Sequence, residues 1–139
     1  MIVENFPELM VTIAAEHEPE AIMNAVVRGI AQSRDVVLTR VWLIAPGDIC
    51  AECRMRPECP DQTRCLHLFA SAGNPADPER DYSQTKGRFR RFPIGVRKIG
   101  YVAATGKSLI FTEVKPEAEW VADPDWIVEE DVQTVAAQP

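Results

Sequence analysis

The chain's four cysteines all fall within sixteen residues, as Cys50-x2-Cys53-x5-Cys59-Pro60-x4-Cys65. The run lies between two stretches that read as strands, so the fold has to accommodate four soft sulfur donors in one loop. Four thiolates can surround a zinc ion or an iron–sulfur cluster. They can equally close two disulfides, or stay as free thiols open to oxidation. Zinc sites usually present paired C-x2-C knuckles, and only Cys50 and Cys53 form one. Cys59-Pro60 is similar to iron–sulfur binding loops, although the spacing matches no ferredoxin pattern. Arg54, Arg56 and Arg64 interleave with the thiols, where they would lower thiolate pKa and offset the charge of a cluster, or suit a redox-active disulfide. Cys50, Cys53, Cys59 and Cys65 are therefore the candidate metal ligands. His67 lies two residues beyond Cys65 and shares its face if the strand has begun, but a lone histidine on a strand is more often a hydrogen-bonded or solvent-facing spacer than a ligand.

Compartment narrows the choice. The chain opens MIVENFPELM, with two early glutamates and no basic leader segment, which is not a secretory signal. No stretch approaches the roughly 18 uninterrupted apolar residues of a membrane span, and the longest candidate, residues 36–45, is broken by Thr39 and Arg40. The expectation is a cytoplasmic protein without membrane contact, where ordinary disulfides are kept reduced, and this favours metal or redox chemistry.

A chain of this length can bury roughly 70% of its unfolded surface, so one globular domain spanning residues 1–139 needs no cross-link to hold it. The net charge is −6 but uneven. Residues 80–98 hold Arg80, Lys86, Arg88, Arg90, Arg91, Arg97 and Lys98 against Asp81, while residues 113–131 are acidic apart from Lys115. Two solvated faces that attract each other account for this, with an anion site in the basic segment as the alternative. Direct nucleic-acid contact fits poorly with an acidic chain whose basic block lacks a recognition motif.

Periodicity orders the elements. Leu9, Met10, Ile13 and Ala14 give a short amphipathic helix over residues 3–17, and Ile22, Val26 and Ile30 a second one opened by Pro19. Residues 36–44, β-branched and aromatic, form the clearest strand, closed by Pro46-Gly47. Residues 66–72 return as a second strand, and the long loop between them is uncommon in a compact domain unless it has a role. Residues 74–86 read as a mobile polar surface loop. Residues 91–95 end a strand, residues 96–105 form a helix capped by Gly106, and residues 108–112 form a further strand. Residues 126–137 read as a final amphipathic helix built on Ile127, Val132 and Val135. The order predicts an α+β fold with an antiparallel sheet.

Phe92-Pro93-Ile94-Gly95, followed by Gly100-Tyr101-Val102-Ala103-Ala104-Thr105-Gly106-Lys107-Ser108-Leu109-Ile110, resembles the middle of a GAF domain. The two N-terminal helices, the strand ending Val41-Trp42-Leu43-Ile44, and Trp120 with Trp126-Ile127 extend the resemblance over residues 9–138. The cysteine insert joined to Cys65-Leu66-His67-Leu68-x-Ala70-Ser71-Ala72-Gly73 resembles GAF domains that sit N-terminally in bacterial enhancer-binding transcriptional activators and sensor kinases. The resemblance implies a non-catalytic sensor domain feeding an output module, with a small-molecule pocket lined by Arg40, Trp42, Phe69, Arg91 and Tyr101. Trp42, Phe69, Tyr101 and Phe111, as a set of aromatics, are more often plain core. A GAF domain of this type would continue with further central strands, so the chain reads as stopping before them, and an open sheet edge implies a homodimer.

The alternatives are a GAF-fold thiol enzyme of the free methionine sulfoxide reductase kind and a dimerisation module with a structural zinc. In the enzyme, one thiolate attacks sulfur and a second cysteine resolves the intermediate. Four thiols exceed what that cycle needs, and no hydrolase or phosphate-loop pattern is present.

Overall fold

The computed structural model describes residues 5–139, and its fold is α+β, with four helices and two small antiparallel sheets. Two compact units make up the chain. The first comprises the chain up to Leu43 together with Leu68–Gly87, and the second comprises Ile44–His67 and Arg88–Pro139.

The first unit opens with α1 (Phe6–Ala15) and α2 (Pro19–Ile30), each with proline in its first turn, where a missing N–H costs nothing. The part of the expected first helix at Val3 and Glu4 lies outside the described residues. Leu9 of α1 lies over Gly29 of α2, where a Cβ would stand 2.5 Å from Leu9 Cδ1. Val27 is fully buried, while Phe6, Met10 and Val11 of α1 are exposed. The chain then enters β1 (Leu38–Pro46) and returns along β2 (Arg64–Gly73). Along β2, Leu66, Leu68 and Ala70 are buried at every second residue, as one buried strand face requires. The turn into β1 is locked from the far end of β2. Asn74 Nδ2 donates to the carbonyls of Ala31 (2.9 Å), Ser33 (3.1 Å) and Val36 (2.9 Å), the second of which also accepts from Val36 N–H. Residues 74–86 carry no helix or strand, and two Asx-type turns, at Asp77 and Asp81, shape them.

In the second unit β3 (Arg91–Phe92) pairs antiparallel with β2 in the register Leu66↔Phe92 and His67↔Arg91, completing the sheet order β1-β2-β3. Helix α3 (Arg97–Thr105) ends at Gly106, whose φ of +66° is the left-handed cap that glycine adopts freely. The strand β4 (Leu109–Thr112) follows, then α4 (Pro124–Glu129), with Asp123 accepting the N-cap bond from Trp126 N–H.

The end of the chain departs from the sequence reading. The expected helix over residues 126–137 stops at Glu129, and Thr134–Ala137 forms β5, paired antiparallel to β4 as Leu109↔Ala137 through Thr112↔Thr134. Asp131 takes φ +50°, which breaks the helix, and the β-branched Thr134 and Val135 then find backbone partners on β4. The apolar residues that suggested one helical stripe instead fill a cluster of Val121, Ile127 and Val132, with Val135 against it. Two separate small sheets, of three and two strands, replace the single sheet expected.

Candidate functional site

The segment joining β1 to β2 is stitched to itself rather than loosely draped. At its neck Gly47 N–H donates to Thr63 O at 3.0 Å. The strands approach so closely there that a Cβ on Gly47 would meet Gln62 O at 2.5 Å and Cys50 Sγ at 2.8 Å. Successive turns follow through Glu52 N–H to Ile49 O and Arg56 N–H to Cys53 O, and a short 3-10 helix spans Arg56–Glu58. Met55 is 2% exposed and anchors the loop from within. On the return, Asp61 Oδ1 accepts from Thr63 N–H at 2.8 Å, an Asx turn that aims the chain back into β2.

This folding brings the four cysteines to one place. Cys50, Cys53, Cys59 and Cys65 all line a cavity of about 20 Å³, together with Arg56, Asp61, Arg91 and Phe92. All four are free and half-buried. Cys50 Sγ–H donates to Gln62 O at 3.4 Å and Cys59 Sγ–H to Asp61 O at 3.1 Å. Burial pushes the Cys65 thiol above its ordinary value, opposed by the charge of Arg91 and assisted by those of Asp48, Cys50 and Cys53. Cys50 and Cys53 thus lie within electrostatic reach of Cys65. With the Cys50 and Cys59 thiols turned to carbonyls, no three His, Cys, Asp or Glu side chains among the described residues stand at coordination geometry.

One wall of the cavity is held by an arginine–carboxylate fork. Arg91 Nε donates to Asp48 Oδ1 at 2.8 Å and Nη2 to Oδ2 at 2.7 Å, while Nη1 reaches Arg90 O. These hydrogen bonds, helped by the Arg91 and His67 charges, hold the Asp48 carboxyl at about 2, and they raise the Arg91 guanidinium in return. Arg56 Nη1 donates to Cys50 O at 3.1 Å.

The sequence-derived residues fall into two groups. The four cysteines and Arg91 meet in the cavity. His67 does not line it, because its Nε2–H donates to Pro46 O at 2.9 Å, with Asp48 Oδ1 3.9 Å away. That contact is the spacer role. Arg40, on β1, donates from Nε to the buried Ser71 Oγ at 3.4 Å, and burial lowers its pKa. Trp42 and Phe69 are half-buried on β1 and β2, and Tyr101 is exposed on α3. None of these four lines the thiol cavity or the groove between α1 and α2. Asp48 and Met55 carry the site's architecture without having stood out in sequence, and Gly47 was noted there only as the end of a strand. The one available signal was Gly47-Asp48 at the mouth of the cysteine run.

No protein-family model, no curated protein and no solved structure matches this chain.

Proposed function

We propose that this chain is a cytoplasmic, non-catalytic sensor domain of the GAF kind, part of a larger bacterial transcriptional regulator or sensor kinase, and that its four thiols hold a soft metal ion. One observation carries the metal reading: Cys50, Cys53, Cys59 and Cys65 line a single cavity of about 20 Å³. That is room for about one water-sized body, which suits one tetrahedral ion such as zinc better than a cluster of several irons. Four thiolates around a divalent ion leave a net charge of about −2, and Arg56 lies in the wall as the cation not taken up by the Asp48–Arg91 pair. Binding asks the Cys50 and Cys59 thiols to give up weak bonds to carbonyls and lose their protons, so uptake releases protons and strengthens as pH rises.

Losing the ion would return the Cys50 and Cys59 thiols to the Gln62 and Asp61 carbonyls, and that rearrangement is what an output module or a dimer partner would read. A thiol redox switch is the second reading, favoured by four free cysteines lining one cavity.

The test is anaerobic purification, with iron, zinc, sulfide and free thiols quantified on one sample and an absorption spectrum recorded. One tightly held zinc that is lost in Cys53→Ser and Cys59→Ser supports the proposal. Iron with sulfide would replace zinc by a cluster. Metal-free, freely reactive thiols would remove the metal and leave the redox switch.

A further inference from the structure

Arg97, at the first position of α3, has φ +52°, a left-handed backbone that a residue with a Cβ seldom takes. Its guanidinium is committed on two sides. Nη2 donates to Glu58 Oε1 at 2.7 Å, and Nη1 donates to the carbonyls of Glu119 at 2.8 Å and Val121 at 3.0 Å. Its Nε is buried and has no hydrogen-bond partner among the described residues. An unfavourable φ and an unmet donor on one residue persist only where the surroundings over-determine its position, and such places concentrate at functional sites.

Both ends of this clamp lead to something. Glu58 closes the 3-10 turn and immediately precedes Cys59, so whatever holds Glu58 holds the segment presenting the fourth thiol. Arg97 itself follows the cavity-lining Pro93 by four residues. The turn between them is stiff: Gly95 N–H donates to Gly100 O at 2.8 Å, and a Cβ on Gly100 would stand 2.4 Å from Pro93 O. At the other end the two accepting carbonyls flank Trp120. Its ring stacks on Phe111 with centroids 4.4 Å apart and planes 16° apart, and Lys98 Nζ lies 5.2 Å from its centre.

We infer that Arg97 is a positioning residue of the thiol site: through Glu58 it fixes the segment that presents Cys59, and through the Glu119 and Val121 carbonyls it passes the state of that segment to Trp120. The inference rests on the reading that the thiols hold a metal ion. Cys59 has its thiol turned to Asp61 O, so taking up an ion requires that bond to be given up, and Glu58 is the residue directly before it, at the end of the 3-10 turn. An arginine bonded to Glu58 and to two backbone carbonyls of residues 119–121 cannot follow one side without shifting the other. By linkage, the coupling acts equally in reverse, so disturbing the clamp changes metal affinity.

The test uses the whole chain with zinc and cobalt(II) ions as probes. Affinity is read by competition with a chromophoric chelator, coordination by the cobalt–thiolate absorption, and the loop by Trp120 emission, isolated as the difference from a Trp120→Phe chain. Zinc is expected to change Trp120 emission in the unaltered chain. Glu58→Gln, at an exposed position that should not disturb folding, is expected to weaken zinc on the order of tenfold, to shift cobalt absorption from four-thiolate toward three-thiolate intensity, and to abolish most of the Trp120 response. Arg97→Lys, which keeps the charge but not the fork, is expected to change all three in the same direction. A merely structural clamp would lower stability and leave the cobalt spectrum alone. Unchanged affinity, cobalt spectrum and Trp120 response in Glu58→Gln would overturn the inference while leaving the metal reading intact. If the unaltered chain takes up no metal, the metal reading fails and the inference fails with it.

Discussion

Arg91 grips Asp48 with both arms of its guanidinium, at 2.8 and 2.7 Å, which ties β3 to the first residues of the cysteine loop. The pair closes one wall of the thiol cavity, since Asp48 and Arg91 both line it. Its geometry is the bidentate one that arginine makes best with a carboxylate.

A pH dependence follows from the fork. The Asp48 carboxyl is lowered from 3.8 to about 2, first by the Arg91 hydrogen bonds. A carboxyl with a depressed folded value contributes stability above its unfolded value and loses it as pH falls through the folded one. Thermal melts of the metal-free chain should therefore show this contribution intact above about pH 5 and declining below it, toward pH 2. Asp48→Asn should melt lower at neutral pH by about 1 kcal/mol or less, because the carboxylate is 45% exposed and solvent screens the pair. That deficit should shrink as the pH falls. An acid limb of equal steepness in both proteins would show that the fork contributes nothing to stability.

The cysteine loop should depend on Met55. At 2% exposure it is the loop's one deeply buried side chain, although it sits between Arg54 and Arg56 in sequence. Met55→Ala is expected to cost about 2–5 kcal/mol in urea unfolding, the ordinary range for emptying a packed methionine site. Met55→Leu, of similar volume, should cost under about 1.5 kcal/mol. Hydrogen exchange of the loop amides would locate the change, and equal protection in the alanine chain would mean that the turns alone order the loop.

Most of the fold was legible because its elements carry their own signals. Pro19 opening α2, Gly106 closing α3 and the β-branched run of β1 each act locally, so periodicity and caps found them. Residues 126–137 misled because Ile127, Val132 and Val135 serve one cluster whether the backbone is helical or turns at Asp131. A two-state pattern of that kind is settled by β4, a partner distant in sequence. At the site, the four cysteines and Arg91 were legible as chemistry. The supports were not: Asp48, Glu58 and Arg97 are ordinary charged residues in sequence, and only the chain's return brings Arg97 to Glu58, 39 residues away.

Asn74 offers a test in the first unit. One side-chain amide satisfies the carbonyls of Ala31, Ser33 and Val36 at the end of α2. Asn74→Ala removes that donor from all three carbonyls, of which Ser33 O keeps the Val36 N–H, and should cost about 1–3 kcal/mol. Asn74→Asp should be worse at neutral pH, since it sets a carboxylate against three carbonyl oxygens, and should recover as the carboxyl protonates in acid. Urea unfolding of the three chains at neutral and acid pH decides it. An aspartate chain as stable as the parent at neutral pH would remove the amide's assigned role.

Gly47 couples the loop's neck to the thiol cavity through sterics alone. A Cβ there would stand 2.5 Å from Gln62 O and 2.8 Å from Cys50 Sγ, and the first contact is with backbone that cannot rotate away. Gly47→Ala must therefore part residues 47 and 62, strain the Gly47 N–H to Thr63 O bond, and push Cys50 out of line. The expected loss is about 1–3 kcal/mol, typical of overpacking a tight contact. On the proposed metal reading, zinc affinity should fall with it, because Cys50 is displaced directly. Comparison with Gly87→Ala separates these effects from the loss of a glycine as such, since a Cβ at Gly87 meets nothing within 4 Å and should leave both quantities unchanged. If Gly47→Ala kept full zinc affinity despite a lower unfolding midpoint, the neck would be a purely structural closure, and the position of Cys50 would be set from elsewhere in the loop.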